Sequence, residues 1–213
     1  MKKIPDLFLM IFLTVTSLMI SFKNKNDVVV QTNKSNGKIN TPLIPDSLFR
    51  SGDIIFRDGR GVISSAFRKL SLTDPRYSHA GIIHKENGSV FVYHMLGGER
   101  GMNNKMRKDL LSYFCNPIQS NSFAVYRMDQ SGKKIDSLAA YYFSKNLEFD
   151  TAFSLATDDK MYCTELIYKI LIKVSGKNNF LPLTTFSGVK YEACDNIYLS
   201  LHSKKIYSFN YSF

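Results

Sequence analysis

The feature that most constrains the fold is a pair of short apolar runs separated by a turn signal. The runs cover residues 78–84 and 89–95, and the residues between them are Lys85-Glu86-Asn87-Gly88. Asn-Gly between apolar runs is the strongest local signal for a β-hairpin, because both residues tolerate the positive φ angles of a tight turn. The sequence therefore predicts two adjacent antiparallel strands in this part of the chain.

Each predicted strand carries a histidine close to the end that lies away from the turn. If Asn87 and Gly88 form a two-residue turn, His79 lies diagonal to His94. If the loop has four residues, the two histidines lie directly opposite each other. Both registers place the side chains on one face, roughly 5 to 8 Å apart at the backbone, whereas a three-residue loop would place them on opposite faces. The hairpin therefore predicts two imidazole rings that meet on one side of a sheet.

Helical and extended patterns are mixed along the rest of the chain. Extended runs predict further strands at 48–56, 122–128 and 207–213, and amphipathic spacing predicts helices at 62–70, 106–115, 135–143 and 161–174. Gly176 follows the last and clearest of these helices as a stop signal. Because the strands follow one another in hairpin-like succession, an α+β fold is favoured over a doubly wound sheet.

The N-terminal residues 1–22 have the layout of a secretory signal. Two lysines precede an uncharged apolar run from Leu7 to Ile20, which is shorter than the roughly 20 residues that span a bilayer. A cleavable signal is preferred, and an uncleaved N-terminal anchor is the alternative. Residues 23–46 are rich in polar side chains and are predicted to be an export linker. Residues 47–213 form the predicted domain, since a 44% apolar composition can fill a core.

The formal net charge of the chain is +10 and suggests nucleic acid or a membrane surface as a partner. The excess is dispersed, because no basic run is longer than two residues and the chain has no RNA-binding or zinc-finger pattern. We therefore expect no nucleic-acid partner. A dispersed positive surface is compatible with peripheral or anchored membrane association.

The three cysteines are too few for a disulfide framework, so each is considered separately. Cys163 lies in the first turn of the predicted helix 161–174 and shares its apolar face, so the thiol is expected to face the sheet. Backbone N–H groups at a helix N-terminus and a neighbouring imidazolium both favour thiolate, so the thiol pKa is expected to be lowered. Cys115 and Cys194 remain, either as a disulfide or as separate thiols. The spacing of Cys and His predicts no metal site.

Three segments of the sequence resemble a known family. Ser51-Gly52-Asp53-Ile54-Ile55-Phe56, Ser78-His79-Ala80-Gly81-Ile82-Ile83 and Tyr162-Cys163-Thr164-Glu165-Leu166 are similar to the signatures of the circularly permuted NlpC/P60 cysteine hydrolases, the YiiX/YebB-like branch of the papain-like superfamily.

The resemblance implies a papain-like α+β fold, with a small antiparallel sheet packed against the helix that bears the nucleophile. It implies Cys163 as nucleophile and His79 as base. The third polar residue of the family is often a carboxylate, and His94 occupies its place here, as in the lecithin-retinol acyltransferase-like relatives.

Four further residues of these motifs are candidates for supporting or substrate-binding roles: Tyr162, Glu165, Asp53 and Ser78. Glu165 is expected to complement the helix dipole or to have a structural role. Asp53 is expected to cap or pair near the start of its strand. The backbone N–H of Cys163 is expected to bind the oxyanion.

The predicted N-terminal signal and the family resemblance together predict an exported thiol hydrolase or amidase of the periplasm or cell envelope. It is expected to act on a small peptide or acyl substrate without a cofactor. Cell-wall peptides are the favoured substrates. A lipid-directed thioesterase or acyltransferase with two histidines and one cysteine is the first alternative, and a catalytically silent binding module on the same fold is the second. The sequence leaves the oligomeric state open.

Overall fold

The predicted hairpin is present in a computed structural model of the protein, which describes residues 44–97 and 104–212. Strand β2 (His79–Glu86) pairs with β3 (Ser89–Met95), and Glu86 is directly opposite Ser89. Asn87 and Gly88 form the two-residue turn, with φ angles of 49° and 77°. This is the tighter of the two predicted loops, and its positive φ angles explain the requirement for Asn-Gly.

The hairpin forms part of a six-stranded sheet in the order β10-β5-β1-β2-β3-β4. All neighbouring strands of this sheet are antiparallel. The other strands of the sheet are β1 (Ile54–Gly59), β4 (Met106–Leu110), β5 (Ser120–Met128) and β10 (Ser203–Asn210). A short parallel pair, β6 (Glu148–Phe149) with β7 (Lys160–Met161), and a small hairpin, β8 (Thr184–Phe186) with β9 (Val189–Tyr191), lie outside it.

Five helices accompany the sheet in the described part of the chain: α1 (Val62–Arg68), α2 (Leu111–Phe114), α3 (Gly132–Ser144), α4 (Cys163–Ser175) and α5 (Cys194–Tyr198). A short 3-10 turn, Asp46–Leu48, precedes the first strand. The mixture of helices with an antiparallel sheet confirms the predicted α+β class.

Alternate residues of the strands enter two separate cores, as the pleat of a sheet requires. On one side, Phe56 of β1 and Ile82 of β2 pack with Leu166 and Ile170 of α4. On the other side, Ile83 of β2 packs with residues of α2 such as Phe114. The sheet is therefore covered on both faces, and α4 covers only one of them.

Helix α4 is stable at both ends for local reasons. Its apolar residues recur every three or four positions and bury one face in the core. At the N-terminus the Tyr162 N–H donates to Glu165 Oε2 at 3.1 Å, which satisfies a backbone donor that the helix leaves free. At the C-terminus Gly176 adopts the left-handed conformation with φ of 69°. The N-terminal contact therefore fixes the start of the helix at Cys163.

The predicted helix at 106–115 is wrong over its first half. Residues Met106–Leu110 form strand β4 and only Leu111–Phe114 are helical. Strand β4 pairs with β3 along the edge of the sheet, for example Arg107 with His94. A short segment with mixed polarity takes the conformation that its neighbour imposes, and this tertiary pairing outweighs the local pattern.

The predicted signal or anchor at 1–22 and most of the linker at 23–46 lie outside the described residues. Within the described ranges, no helix is long and apolar enough to cross a membrane.

Asp53 is a structural residue at the start of β1. Its carboxylate accepts hydrogen bonds from Nε and Nη2 of Arg127 on β5, both at 2.7 Å, and from the backbone N–H of Arg50 at 2.8 Å. The side chain is only 2% exposed. It therefore ties the turn before β1 to β5, and it lies at the opposite end of β1 from Arg57, whose partner across the strands is His79.

We expect Asp53→Ala to lower the free energy of unfolding by about 3 kcal/mol, because it leaves the Arg127 guanidinium and a backbone donor without their buried acceptor. Urea denaturation would measure the change. Asp129→Ala is the matched control, since its ion pair with His202 is exposed at the surface and should contribute less than about 1 kcal/mol. Equal losses in the two variants would contradict the structural role of Asp53.

Candidate active site

Cys163 lies at the first position of α4 and lines a cleft of about 180 Å³. His79, the first residue of β2, lines the same cleft. The other walls come from the end of β1, from α1, and from the segment after β3, with residues that include Arg57, Arg60, Val62, Phe67, Met95, Gly97 and Phe149. The structure thus brings the two principal residues predicted from the motifs into one cavity. No hydrogen bond joins these two described side chains, and contacts of this kind are commonly loose in sites without substrate.

The two histidines are hydrogen-bonded to each other. His79 Nε2 lies 2.9 Å from His94 Nδ1, and the rings meet edge to face with their centroids 5.0 Å apart. Phe114 packs against both rings, with centroid distances of 5.5 Å to His79 and 5.2 Å to His94. The diagonal placement predicted for a two-residue turn is therefore confirmed, and the aromatic ring of α2 holds the pair from one side.

Gly81 allows β2 and β3 to pack closely next to His94. The strand register places it opposite His94, next to the pair Ile82 and Tyr93. A Cβ at position 81 would lie 3.2 Å from the Cβ of His94 and 2.4 Å from a methyl group of Val92, closer than side chains tolerate. The glycine in the motif that follows His79 is thus required by packing around the second histidine.

The second histidine has a carboxylate partner that sequence reasoning missed. His94 Nε2 lies 3.0 Å from Asp109 Oδ2 on β4, and Arg107 Nη2 donates to Asp109 Oδ1 at 3.0 Å. His79, His94 and Asp109 therefore form a continuous hydrogen-bonded chain across three neighbouring strands. The sequence pattern predicts a helix at 106–115, so it does not place Asp109 on a strand next to His94.

Tyr162 and Glu165, two further candidate residues, make their contacts at the start of α4. The Tyr162 hydroxyl accepts from the Glu192 N–H at 2.8 Å, and Glu165 binds the Tyr162 N–H and lies 3.0 Å from Lys169 Nζ. Neither side chain is among those that line the cleft. Both fix the start of α4, as expected for Glu165.

Ser78 lines the cleft, but its hydroxyl is occupied in holding two strands together. It accepts from the Gly59 N–H at 2.9 Å and donates to the Arg57 carbonyl at 3.5 Å. It therefore joins the end of β1 to the start of β2, next to His79.

Arg57 gives the site a positive potential. The residue is 8% exposed, and its guanidinium donates to the Phe114 carbonyl at 3.0 Å and lies over the Phe114 ring. Burial, with the Arg57 charge and His94 adding to it, holds the pKa of His79 well below its ordinary value. Burial likewise lowers the pKa of His94, although the hydrogen bond to Asp109 opposes that shift. Both rings are therefore neutral at pH 7.

The thiol pKa of Cys163 is raised, contrary to the expectation from its place at a helix N-terminus. Burial is the largest cause. Backbone N–H groups of Ala80, Thr164 and Cys163 itself act on the sulfur in the expected direction, but they do not outweigh the loss of water around it. The cleft of the free protein therefore holds a neutral thiol and a neutral imidazole.

We expect alkylation of Cys163 by iodoacetamide to become faster with pH without a plateau near neutrality, and to go on rising above pH 9, because only the thiolate reacts and its pKa is raised. Mass mapping of quenched samples would give the rate at each pH. Cys163→Ala supplies the background from the other thiols. A plateau reached below pH 7 would instead indicate a stable thiolate–imidazolium pair.

Cys115 and Cys194 do not form a disulfide. Both are free and buried, and they belong to the cores on opposite sides of the sheet. Burial raises the pKa of each thiol. The alternative of two separate thiols is therefore correct.

A cysteine at the start of a helix and a histidine at the start of a strand, both lining one cleft, are the arrangement typical of the papain-like class. The family model for the permuted papain-like amidase enzymes, YaeF/YiiX, C92 family, matches residues 49–192. The chain belongs to that family, which confirms the resemblance to its YiiX branch and supports hydrolase or amidase chemistry in general.

A solved structure supports the same fold. The crystal structure of the metalloprotein yiiX from Escherichia coli O157:H7 is similar to this chain with a TM-score of 0.60 and 18% sequence identity, over 75% of this chain and 97% of that one. A comparison with curated proteins found no match.

The donor atoms of the site do not suit a metal ion. Across residues 44–97 and 104–212, no group of three or more His, Cys, Asp or Glu side chains is arranged to hold one. His94 uses both ring nitrogens on His79 and Asp109.

Proposed function

We propose that the protein is an exported cysteine amidase that cleaves an amide bond in cell-wall peptides, with Cys163 as nucleophile, His79 as base and His94 as its orienting partner. The observation that carries this proposal is the cleft that Cys163 and His79 share, together with the hydrogen bond between His79 and His94. The family supplies the general class of reaction.

The first half of the reaction forms a thioester. His79 takes the thiol proton as the sulfur of Cys163 attacks the carbonyl carbon of the substrate, because neutral thiol and neutral imidazole are the resting forms. The carbonyl oxygen becomes an oxyanion, for which the backbone N–H of Cys163 is available at the free end of α4. The imidazolium then gives its proton to the leaving amine, and the C–N bond breaks.

The second half releases the product acid. A water molecule loses a proton to His79 and attacks the thioester carbonyl, and the C–S bond breaks as the proton returns to the sulfur. The enzyme is then unchanged, and the net reaction consumes one water and yields one acid and one amine.

Two features support a peptide as the substrate. Arg57 and Arg60 both line the cleft, so it favours substrates with negative charge, and cell-wall peptides carry carboxylates. The N-terminal signal predicted from the sequence would bring the protein to the compartment where such peptides occur.

The test is product analysis with purified full-length protein on soluble peptidoglycan fragments and, separately, on phospholipid vesicles. Release of free amines from the fragments, with the lipid intact and with no release by Cys163→Ala, is the expected result. Release of fatty acid from the vesicles with intact peptides would overturn the amidase proposal in favour of a lipid-directed thioesterase or acyltransferase. Turnover of neither substrate class, with no preferential labelling of Cys163, would favour a silent binding module.

A further inference from the structure

Among the described residues, the carboxylate of Asp109 ends the series of hydrogen bonds that runs from His79 through His94. Asp109 lies on edge strand β4, two residues after Arg107; because Arg107 pairs with His94 across the strands, Asp109 lies diagonal to His94 on the same face of the sheet. The two distances in the chain are 2.9 Å from His79 Nε2 to His94 Nδ1 and 3.0 Å from His94 Nε2 to Asp109 Oδ2. His94 thus contacts the proposed base with one nitrogen and a carboxylate with the other.

On the basis of the proposed function, in which His79 is the base, we propose that Asp109 is a positioning residue which, through His94, holds the proton of His79 on Nε2 and leaves Nδ1 of His79 free to act as the base.

The proposal follows from which atoms can donate. An ionised carboxylate only accepts, so His94 Nε2 must carry a hydrogen and donate it to Asp109. A neutral imidazole has a single N–H, so His94 Nδ1 is then an acceptor. His79 Nε2 must therefore carry its own hydrogen and donate it to His94, which leaves the lone pair on His79 Nδ1. One charge at the edge of the sheet thereby determines the proton positions on two rings.

The charges around the chain favour this arrangement. Burial alone would raise the pKa of Asp109, but hydrogen bonds from His94 and Arg107 outweigh it and keep the carboxyl ionised. The charges that act on the His94 ring come from Asp109 and Arg107 on β4 and from Arg57 on β1. From α2, the uncharged ring of Phe114 packs against both histidines. When His79 is protonated during the reaction, the compensating negative charge is that of Asp109, which is two hydrogen bonds away.

Asp109→Asn is the informative variant, because it reverses the direction of donation in the hydrogen bonds from His79 through His94 to residue 109 without changing the shape of that side chain. Arg107 donates to Oδ1, so the amide oxygen of Asn is retained there and the NH2 group faces His94 Nε2. His94 must then accept at Nε2 and carry its hydrogen on Nδ1. His79 Nε2 becomes the acceptor, and the proton moves to His79 Nδ1, which blocks the base.

The direct test is long-range 1H–15N correlation spectroscopy of the imidazole rings in the full-length protein at pH 7.5, with His84→Gln and His202→Gln introduced so that two of the four histidines remain. We expect both His79 and His94 to be Nε2–H tautomers, and both to become Nδ1–H tautomers in Asp109→Asn. If the protein that retains Asp109 carries the His94 hydrogen on Nδ1, the proposal is overturned. The measurement needs no substrate, so it stands apart from any failure of the proposed reaction.

The kinetic test compares variants on the substrate that the product analysis identifies. Asp109→Asn should lower kcat/KM roughly 100-fold, less than the roughly 10⁴-fold loss found when such a carboxylate contacts the base histidine directly. The acid limb of its kcat/KM–pH profile should move to lower pH, because losing the negative charge of Asp109 disfavours the imidazolium form of His79. Asp109→Glu should restore part of the activity and the position of the limb.

Asp136→Asn is the matched control, because Asp136 Oδ1 pairs with His84 Nδ1 at 2.8 Å on a histidine outside the cleft. It should leave kcat/KM and the pH limb unchanged. An Asp109→Asn protein that loses activity while its pH limb and tautomers stay as in the parent would show a merely structural role and would overturn the proposal.

Discussion

Replacing Cys163 by alanine is expected to abolish hydrolysis, with kcat/KM falling on the order of 10⁴-fold to 10⁶-fold, the range found when a covalent nucleophile is removed. No other described side chain in the cleft is a thiol, so no thioester can form there. The thiol is 8% exposed and small, so the variant should fold. Initial rates of amine release from the identified peptide substrate would measure the loss.

Cys115→Ala is the control for the nucleophile. Cys115 is also buried, but it lies in the core on the other side of the sheet. It should retain essentially full activity, although removal of the buried sulfur costs some stability. Cys163→Ala with more than about one hundredth of the parental rate would show that another group carries the reaction.

Replacing His79 by alanine is expected to lower kcat/KM by about 10³-fold to 10⁴-fold, the upper part of the range for general-base catalysis. The neutral thiol then has no base to remove its proton, and burial keeps its pKa high. The change also vacates the space of an imidazole ring that lines the cleft, so added imidazole should restore part of the rate. The same assay, with and without imidazole, measures both effects.

His84→Ala is the control for the base. His84 follows on the same strand but is bonded to Asp136 outside the cleft, so its loss should leave the rate unchanged. If His79→Ala and His84→Ala lose activity equally, and imidazole rescues neither, His79 is not the base.

Local chemistry explains which parts of the site could be predicted from the sequence. The Asn87-Gly88 turn determines the register of the hairpin, and the register alone places His79 diagonal to His94. The periodicity of 161–174 and its glycine stop likewise placed Cys163 at a helix start, and the structure agrees. These features depend only on residues close together in the chain.

The parts that were missed depend on residues far apart in the chain. Strand β4 exists because β3 offers it an edge, so Asp109 could not be recognised as a partner of His94. The raised pKa of Cys163 depends on how completely the folded chain removes water from its sulfur, which no helix pattern reveals. The separation of Cys115 from Cys194 depends on which face of the sheet each one enters.

The order of these groups along the chain has a consequence for how the site is assembled. The proposed base, its partner histidine and the carboxylate come from β2, β3 and β4, which follow one another in the chain and are neighbours in the sheet. The proposed nucleophile lies on α4, which packs against the other face of that sheet. The candidate site is thus divided between two parts of the fold, and a local opening of α4 would remove the thiol while the histidines stay in register.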